Sequence, residues 1–295
     1  MSTVAAVVVD YDAEQVMVEC IESLAAQGAQ EIVVVENGDA VRAAHLLAGA
    51  TASVPIIDTG RNVGYGAGAN RGVAATAPGQ SDYVLVCNPD LRVHEDAVAR
   101  LVAVLDAEPA WAIVGPTILT PEGDRYPSVR RFPSMTDAVG HALIGVFHPD
   151  NPFTRRYRSP LDPGEGLVRA DWVSGACFLA RRSALEELGG FDESYFMFAE
   201  DMDLCWRAHR AGWGVGAAQD AVVTHVEGVS RRRHPYRMLM AHHRSAWRFA
   251  VRSTEGWRRA ALPAAAVVLG FRLAVSLGSQ ALALRGVGAD TSAAS

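Results

Sequence analysis

Short apolar runs alternate with stretches of helical period through the first half of this 295-residue chain. Residues 4–9, Val-Ala-Ala-Val-Val-Val, predict a buried first strand ending at Asp10-Tyr11. Residues 13–26 place Val16, Cys20, Ile21 and Leu24 on one helix face. Strands are then predicted at 32–35, 55–58 and 83–87, with helices near 40–48, 66–76 and 94–107 between and after them. Such alternation predicts an α/β fold, a mostly parallel central sheet flanked by helices. A further strand is expected near 112–115. Residues 117–168 turn irregular and rich in proline and arginine, which predicts an inserted, ligand-facing region. Order returns with a strand at 172–180, a helix at 183–188, a helix from about 199 and a strand ending at Thr224-His225. The remainder reads as helical, first basic and then apolar.

Chemistry-bearing residues gather where these strands end. Asn88-Pro89-Asp90 follows the fourth strand. A carboxylate just past the carboxyl end of a parallel strand lies where open α/β sheets bind ligands, placed to hold a divalent metal against a phosphorylated ligand. The same tripeptide is also a turn signal. Glu36, in Glu36-Asn37-Gly38, offers a carboxylate to the N–H of a pyrimidine, or simply closes a turn. Residues 60–72 hold five glycines in thirteen positions. Glycine lets backbone N–H groups approach an anion, and the helix that follows presents its positive end to phosphate. The alternative is a glycine-lined helix packed closely on the sheet. It is not the dinucleotide fingerprint, because it follows the third strand and lacks the acidic ribose reader.

The stretch from Phe196 to Arg207 sets Glu200, Asp201 and Asp203 among apolar groups. Buried carboxylates are costly unless paired or metal-bound, and their pKa rises, which suits a general base. Glu200 and Asp203, three apart, share a helix face that Asp201 does not. Acids opening a helix whose dipole favours them are the plainer alternative. His225, at another strand's carboxyl end, can complete a metal site begun by Asp90 or serve a structural role.

Composition is that of a globular protein, 49% hydrophobic and 20% charged. Cys20, Cys87, Cys177 and Cys205 are far apart and form no C-x-x-C pair, which predicts reduced thiols rather than a zinc ribbon or disulfide framework. No basic region followed by an apolar core opens the chain, so no secretory signal is expected. Charge is strongly segregated. Residues 1–224 carry 16 arginines and 30 acids, net −14, whereas residues 225–285 carry 11 arginines and two acids, net +9. That asymmetry points to a polyanion or an anionic membrane surface as partner of the basic segment. Arg231-Arg232-Arg233, with His242-His243-Arg244 and Arg248, reads as a clamp for a diphosphate or lipid phosphates, or as a solvated helix face. The acidic main domain argues against a nucleic-acid partner. In the apolar stretch 260–284, interrupted by Pro263 and Arg272, the residues Arg272, Ser276, Ser279 and Gln280 form one polar stripe. This predicts an amphipathic helix in a membrane interface, or one packed on the domain. Spanning would place Arg272 near the bilayer centre at about 3 kcal/mol.

Rival classes are weaker on the same residues. A nucleotidyltransferase needs a basic, phosphate-reaching residue in its first loop, and residues 10–15 have none. A dinucleotide-dependent oxidoreductase lacks its fingerprint. A non-catalytic carbohydrate-binding protein would need neither Asp201 nor a metal.

Asp10-Tyr11, Glu36-Asn37-Gly38, Asn62-Val63-Gly64-Tyr65-Gly66, Asn88-Pro89-Asp90, Trp172-Val173-Ser174-Gly175, Gly189-Gly190-Phe191-Asp192-Glu193, Phe196 through Arg207 and His225 occur in one family's order. Together they resemble a family-2 glycosyltransferase with the GT-A fold, over about residues 4–250. Gly115-Pro116, Pro121-Glu122-Gly123, Tyr126-Pro127-Ser128-Val129-Arg130, His141 and Asn151-Pro152-Phe153-Thr154 resemble a narrower group, the actinobacterial rhamnosyltransferases that build the cell-wall linker disaccharide on a polyprenyl diphosphate.

The resemblance implies a catalytic domain over 1–228, with a donor half to about 115 and an acceptor half from 116. A basic helical extension over 229–290 and a disordered tail at 291–295 would follow. It implies donor binding by Asp10, Tyr11, Glu36, Asn37, Asn62, Gly64, Tyr65, Asn70, Asn88 and Asp90. Mg²⁺ or Mn²⁺ would rest on Asp90 and His225, with Asn88 in the first acidic place of the usual Asp-x-Asp. Glu36 stands where the family usually has aspartate. Asp201 would be the catalytic base, supported by Glu200 and Asp203, and Trp172, Gly175, Arg207, Arg231 and Arg232 would meet the acceptor. The implied reaction is inverting transfer from a nucleotide sugar, dTDP-L-rhamnose, to N-acetylglucosaminyl-diphospho-polyprenol. The implied location is cytoplasmic, peripheral on the inner face of the cell membrane.

Overall fold

The computed structural model describes residues 2–13, 15–50, 54–77, 79, 81–145, 148, 150–158, 166–226 and 235–292. The chain divides into two compact units. One comprises Met1–Phe132 and Ser159–Arg232, the other Pro133–Arg158 and Arg233–Ser295. The expected acceptor half, 116–228, is therefore not continuous. Residues 133–158 leave it and cluster with the C-terminal helices.

In the first unit β1 (Val4–Asp10), α1 (Val16–Ala26), β2 (Glu31–Glu36), α2 (Ala40–Leu47), β3 (Ile56–Asp58), α3 (Tyr65–Ala75) and β4 (Tyr83–Cys87) alternate as the pattern predicts. β5 (Leu91–Val93), α4 (Ala97–Ala107), β6 (Trp111–Leu119), β7 (Arg125–Tyr126) and β8 (Val129–Arg130) follow. After α5 (Met135–Ile144) and α6 (Pro152–Arg158) of the second unit, the chain returns as β9 (Leu167–Arg169), β10 (Trp172–Val173), β11 (Cys177–Arg181), α7 (Arg182–Leu188), α8 (Glu200–Arg210) and β12 (Gly214–His225).

The main sheet has the order β3-β2-β1-β4-β11-β6-β12-β5. β1 to β4 are mutually parallel where they pair. β11 runs antiparallel to both β4 and β6, so β6 and its parallel neighbour β12 resume the direction of β4. Every residue of β1 and β4 is buried, as for parallel strands covered on both faces. Val8, Val34, Leu85 and Cys87 pack toward Met17, Ile21, Leu101 and Leu105. Val7, Val9, Val35, Val84 and Val86 pack on the opposite side with Ala69, Leu204 and Ala208. The period of two along each strand divides them.

This topology brings the carboxyl ends of β1, β2, β4 and β12, and the start of β11, to one edge. Two departures from the sequence reading matter there. The strand expected over 172–180 is broken: β10 pairs with β8, whereas β11 joins the main sheet. The break frees the Gly175 N–H for a side chain. Asn88-Pro89-Asp90 is also a true turn, since the chain after it runs back as β5 against β12, with Leu91 opposite His225. Asp90, expected to meet a metal, thus lies in this turn.

The second unit holds α5, α6, α9 (Pro235–Ser253), a 3₁₀ turn (Gly256–Ala261) and α10 (Leu262–Ser292). Asn151 caps α6 by accepting from the Thr154 N–H at 2.9 Å, and its amide reaches the Thr154 hydroxyl at 2.7 Å. The same hydroxyl meets His141 Nδ1 at 2.9 Å, tying α5 to α6. Arg272 of α10 donates to the His141 carbonyl at 2.9 Å. Pro263 does not interrupt α10. It occupies the first turn, where its missing N–H is not needed. α10 continues to Ser292, into the stretch expected to be a tail.

Candidate active site

At the β4 and β12 ends, His225 Nε2 lies 2.9 Å from Asp90 Oδ1 and 3.2 Å from the Asn88 amide nitrogen. Asp90 and His225 are both buried, and His225 Nδ1 has no hydrogen-bond partner. Tyr126 meets the imidazole edge-on, ring centroids 6.4 Å apart. A carboxylate, an imidazole and an amide converging on one point suit a divalent cation of the Mg²⁺ or Mn²⁺ kind. Among the described residues no group of three or more carboxylate, thiol or imidazole donors forms. An ion here would therefore draw its remaining ligands from a bound molecule, for which diphosphate oxygens are suited.

On β1, next to β4, and on β2 beyond it, Asp10 and Glu36 stand opposite each other at the strand ends. Burial and the facing Glu36 carboxyl push the Asp10 pKa up to about 9. Glu36 accepts from the Gly38 N–H at 2.5 Å, and Asp10 from the Ala13 N–H at 2.9 Å. Tyr11 follows, half-buried. Asn37 braces the glycine-rich segment: its Oδ1 accepts from Thr59 Oγ1 and Val63 N at 3.2 and 3.3 Å, and its Nδ2 donates to the Gly64 carbonyl. Asn62 accepts from the Gly64 N–H at 3.0 Å. Gly64, at φ +96°, is pressed against the Phe196 carbonyl, which also accepts from the Tyr65 N–H. The glycines of α3 serve close packing. A side chain at Gly66 would meet Phe191, at Gly68 Val9, and at Gly72 Val7. With the Gly64 and Tyr65 N–H groups already bonded within the fold, close packing accounts for this segment better than an anion cradle.

The third cluster forms at the start of α8. Asp201 Oδ2 accepts from the Gly175 N–H at 2.7 Å and Oδ1 from the Met202 N–H at 2.8 Å. Tyr65 Oη donates to the Gly175 carbonyl at 2.5 Å, holding the same residue on its other side. Burial raises the Asp201 pKa, opposed by these two N–H groups and by the charge of Arg130. Arg130 itself lies over the Trp172 ring, 5.2 Å from its centroid. The adjacent Glu200 is buried, its Oε2 has no partner, and burial followed by the Asp201 charge raises its pKa to about 8. Phe198 and Ala199 enter the helix with φ of +69° and +63°. Left-handed backbone at two non-glycine residues costs about 1–2 kcal/mol each, strain of the sort held at functional sites.

The protein-family model described as glycosyltransferase like family 2 matches residues 2–260. The chain belongs to this family. This glycosyltransferase is 37% identical over 249 residues to the N-acetylglucosaminyl-diphospho-decaprenol L-rhamnosyltransferase of Mycobacterium tuberculosis strain CDC 1551, covering 81% of this chain and 80% of that one. It is 28% identical to the rhamnosyltransferase WbbL of Escherichia coli K12 over 156 residues, half of this chain and 56% of the other. Among solved structures it resembles the mannosyltransferase PcManGT from Pyrobaculum calidifontis, crystallised with GDP-Man and Mn²⁺. That likeness has a TM-score of 0.56 at 16% identity and covers 98% of this chain and 79% of that one. The fold is GT-A.

Several residues expected in the glycosyltransferase site serve the framework instead. Asp203 is fully buried and pairs with Arg207 at 2.8 Å. Arg207 also donates to the carbonyls of Leu188 and Gly190, so its guanidinium is consumed inside the unit rather than offered to an acceptor. Asn70 clamps the Phe191 backbone through both amide atoms at 2.9 Å, which turns it from a donor contact into a brace. Arg231 and Arg232 lie outside the described residues. Gly175 does stand against Asp201, and Trp172 lies under Arg130, whose charge acts on Asp201. Two residues with no role in the sequence reading join the site, Arg130 and Tyr126. Their signal was present in Tyr126-Pro127-Ser128-Val129-Arg130, quoted only for its likeness to the narrower group.

Proposed function

We propose that this glycosyltransferase moves L-rhamnose from dTDP-L-rhamnose to a polyprenyl-diphosphate-linked N-acetylglucosamine, with inversion at the anomeric carbon. The observation carrying the substrates is the 37% identity over four-fifths of both chains to a rhamnosyltransferase named for that acceptor. The nucleotide lies along the Asp10–Glu36 edge, where Glu36 receives a pyrimidine N–H. Asp90 and His225 hold a divalent cation, which neutralises charge on the departing diphosphate when bound. Asp201 takes the proton of the acceptor hydroxyl as that oxygen attacks the face opposite the diphosphate. What supports the base role is its pair of N–H donors, from Gly175 and Met202, which fix the carboxylate's orientation. Glu200 stays protonated at neutral pH and so spares Asp201 a second negative charge. A lipid-linked acceptor makes the enzyme peripheral to the cytoplasmic face of the membrane.

The test is a panel of nucleotide sugars incubated with a short-chain N-acetylglucosaminyl-diphospho-lipid and Mg²⁺ or Mn²⁺. The expected product carries rhamnose. Preferential transfer of another sugar would overturn the donor assignment while leaving the chemistry standing.

A further inference from the structure

We propose that the second unit docks on an anionic lipid surface through one stripe of α10 and through Trp257. This deepens the reading of a lipid-linked acceptor, but the observations belong to the second unit alone. Pro133–Arg158 and Arg233–Ser295 contain 12 arginines and four acids, net +8, against −14 for the first unit. Their composition complements an anionic surface.

α10 is arranged contrary to a helix in water. Pro263, Val267, Phe271, Ala274 and Gly278 recur at helical spacing, and all are exposed. Val267 is 72% exposed and Phe271 46%. Ser279 is the only polar residue among the exposed positions of 262–280. Arg272, head of the polar stripe in the sequence, is half-buried and donates to the His141 carbonyl of α5. Apolar groups thus face outward while the cation faces inward. Just before α10, Trp257 is 85% exposed and flanked by exposed Arg258 and Arg259. An indole beside cations suits the boundary between headgroups and acyl chains.

Residues Gly256–Gln280, with hydropathy 1.9, meet the length and composition needed to cross a bilayer. The Arg272–His141 bond argues for lying on it instead. Insertion would drag in α5 and α6, where Arg156 pairs with Asp137 at 2.7 Å.

The test is co-sedimentation of the full chain with phosphatidylcholine vesicles, with and without phosphatidylglycerol. Binding is expected to the anionic vesicles only, and to weaken with salt. Phe271→Asp should weaken it about tenfold or more, and Val41→Asp, exposed in the first unit, should leave it unchanged. Brominated lipids should quench tryptophan emission in the wild type and quench less in Trp257→Phe, a readout that survives if Phe271→Asp fails to fold. Conversion of a short-chain, water-soluble acceptor should be equal in wild type and Trp257→Phe. Loss of conversion in both would count against the proposed reaction and not against docking. Docking is overturned by absence of vesicle binding at low salt or by equal binding to neutral vesicles. Self-association abolished by Phe271→Asp, without vesicle binding, would also overturn it and give the stripe to a second copy of the chain.

Discussion

Among the described residues, two buried carboxyl pairs differ in construction. Asp10 and Glu36 come from adjacent parallel strands and face each other, so burial and like charge hold a proton on Asp10 up to about pH 9. Glu200 and Asp201 are neighbours in sequence at the start of α8. Asp201 receives two backbone N–H groups and the field of Arg130, whereas Glu200 has one oxygen without any partner and a pKa near 8. The first pair is a shared-proton acceptor suited to holding a donor. The second separates a hydrogen-bonded carboxylate from a neutral acid, the division that general-base chemistry uses.

The largest effect should come from breaking the second pair. Asp201→Asn is expected to lower turnover by about 10²–10⁴-fold and to leave donor affinity within about twofold by titration calorimetry. Turnover surviving within about tenfold would move the base elsewhere. At the first pair, Glu36→Gln should do the reverse, weakening the donor by about tenfold through loss of one charged hydrogen bond while turnover at saturation stays within about twofold.

Glu200→Gln tests whether Glu200 acts as a neutral group. Activity at pH 6–7 should stay within about threefold, and any change that the wild type shows near pH 8 should vanish.

Stability should sharpen the comparison further. Asp10 and Glu200 keep their protons in the folded chain above the 3.8 and 4.5 at which they ordinarily release them. The folded state therefore binds more protons than the unfolded chain up to pH 8–9. Stability is full below this window and falls as pH rises through it. Asp10→Asn should reduce that fall, measured by urea unfolding at pH 5 and pH 8, by on the order of 1 kcal/mol or more. The smallest effect is expected from Ala199→Gly, which relieves left-handed strain at the α8 entry but loosens the unfolded chain. A net gain of no more than about 1 kcal/mol should appear in the same unfolding curves.

The alternation of valine-rich runs with helical period determined the parallel sheet, because strands covered on both faces must be apolar throughout and helices on one face only. Asp10, Glu36, Asp90, Asp201 and His225 stood out as candidates because each interrupts or closes an apolar run. Tertiary structure alone decided their company. The return of β5 onto β12 brings Asp90 to His225 across 135 residues. The break between β10 and β11 turns Gly175 toward Asp201. The same packing removed Asp203, Arg207 and Asn70 from the site, since a side chain's type states which bonds it can make and only its neighbours state which it does make. Excursion of 133–158 into the second unit was equally unreadable, because the polar link between that segment and α10, Arg272 to the His141 carbonyl, joins residues 131 apart in sequence.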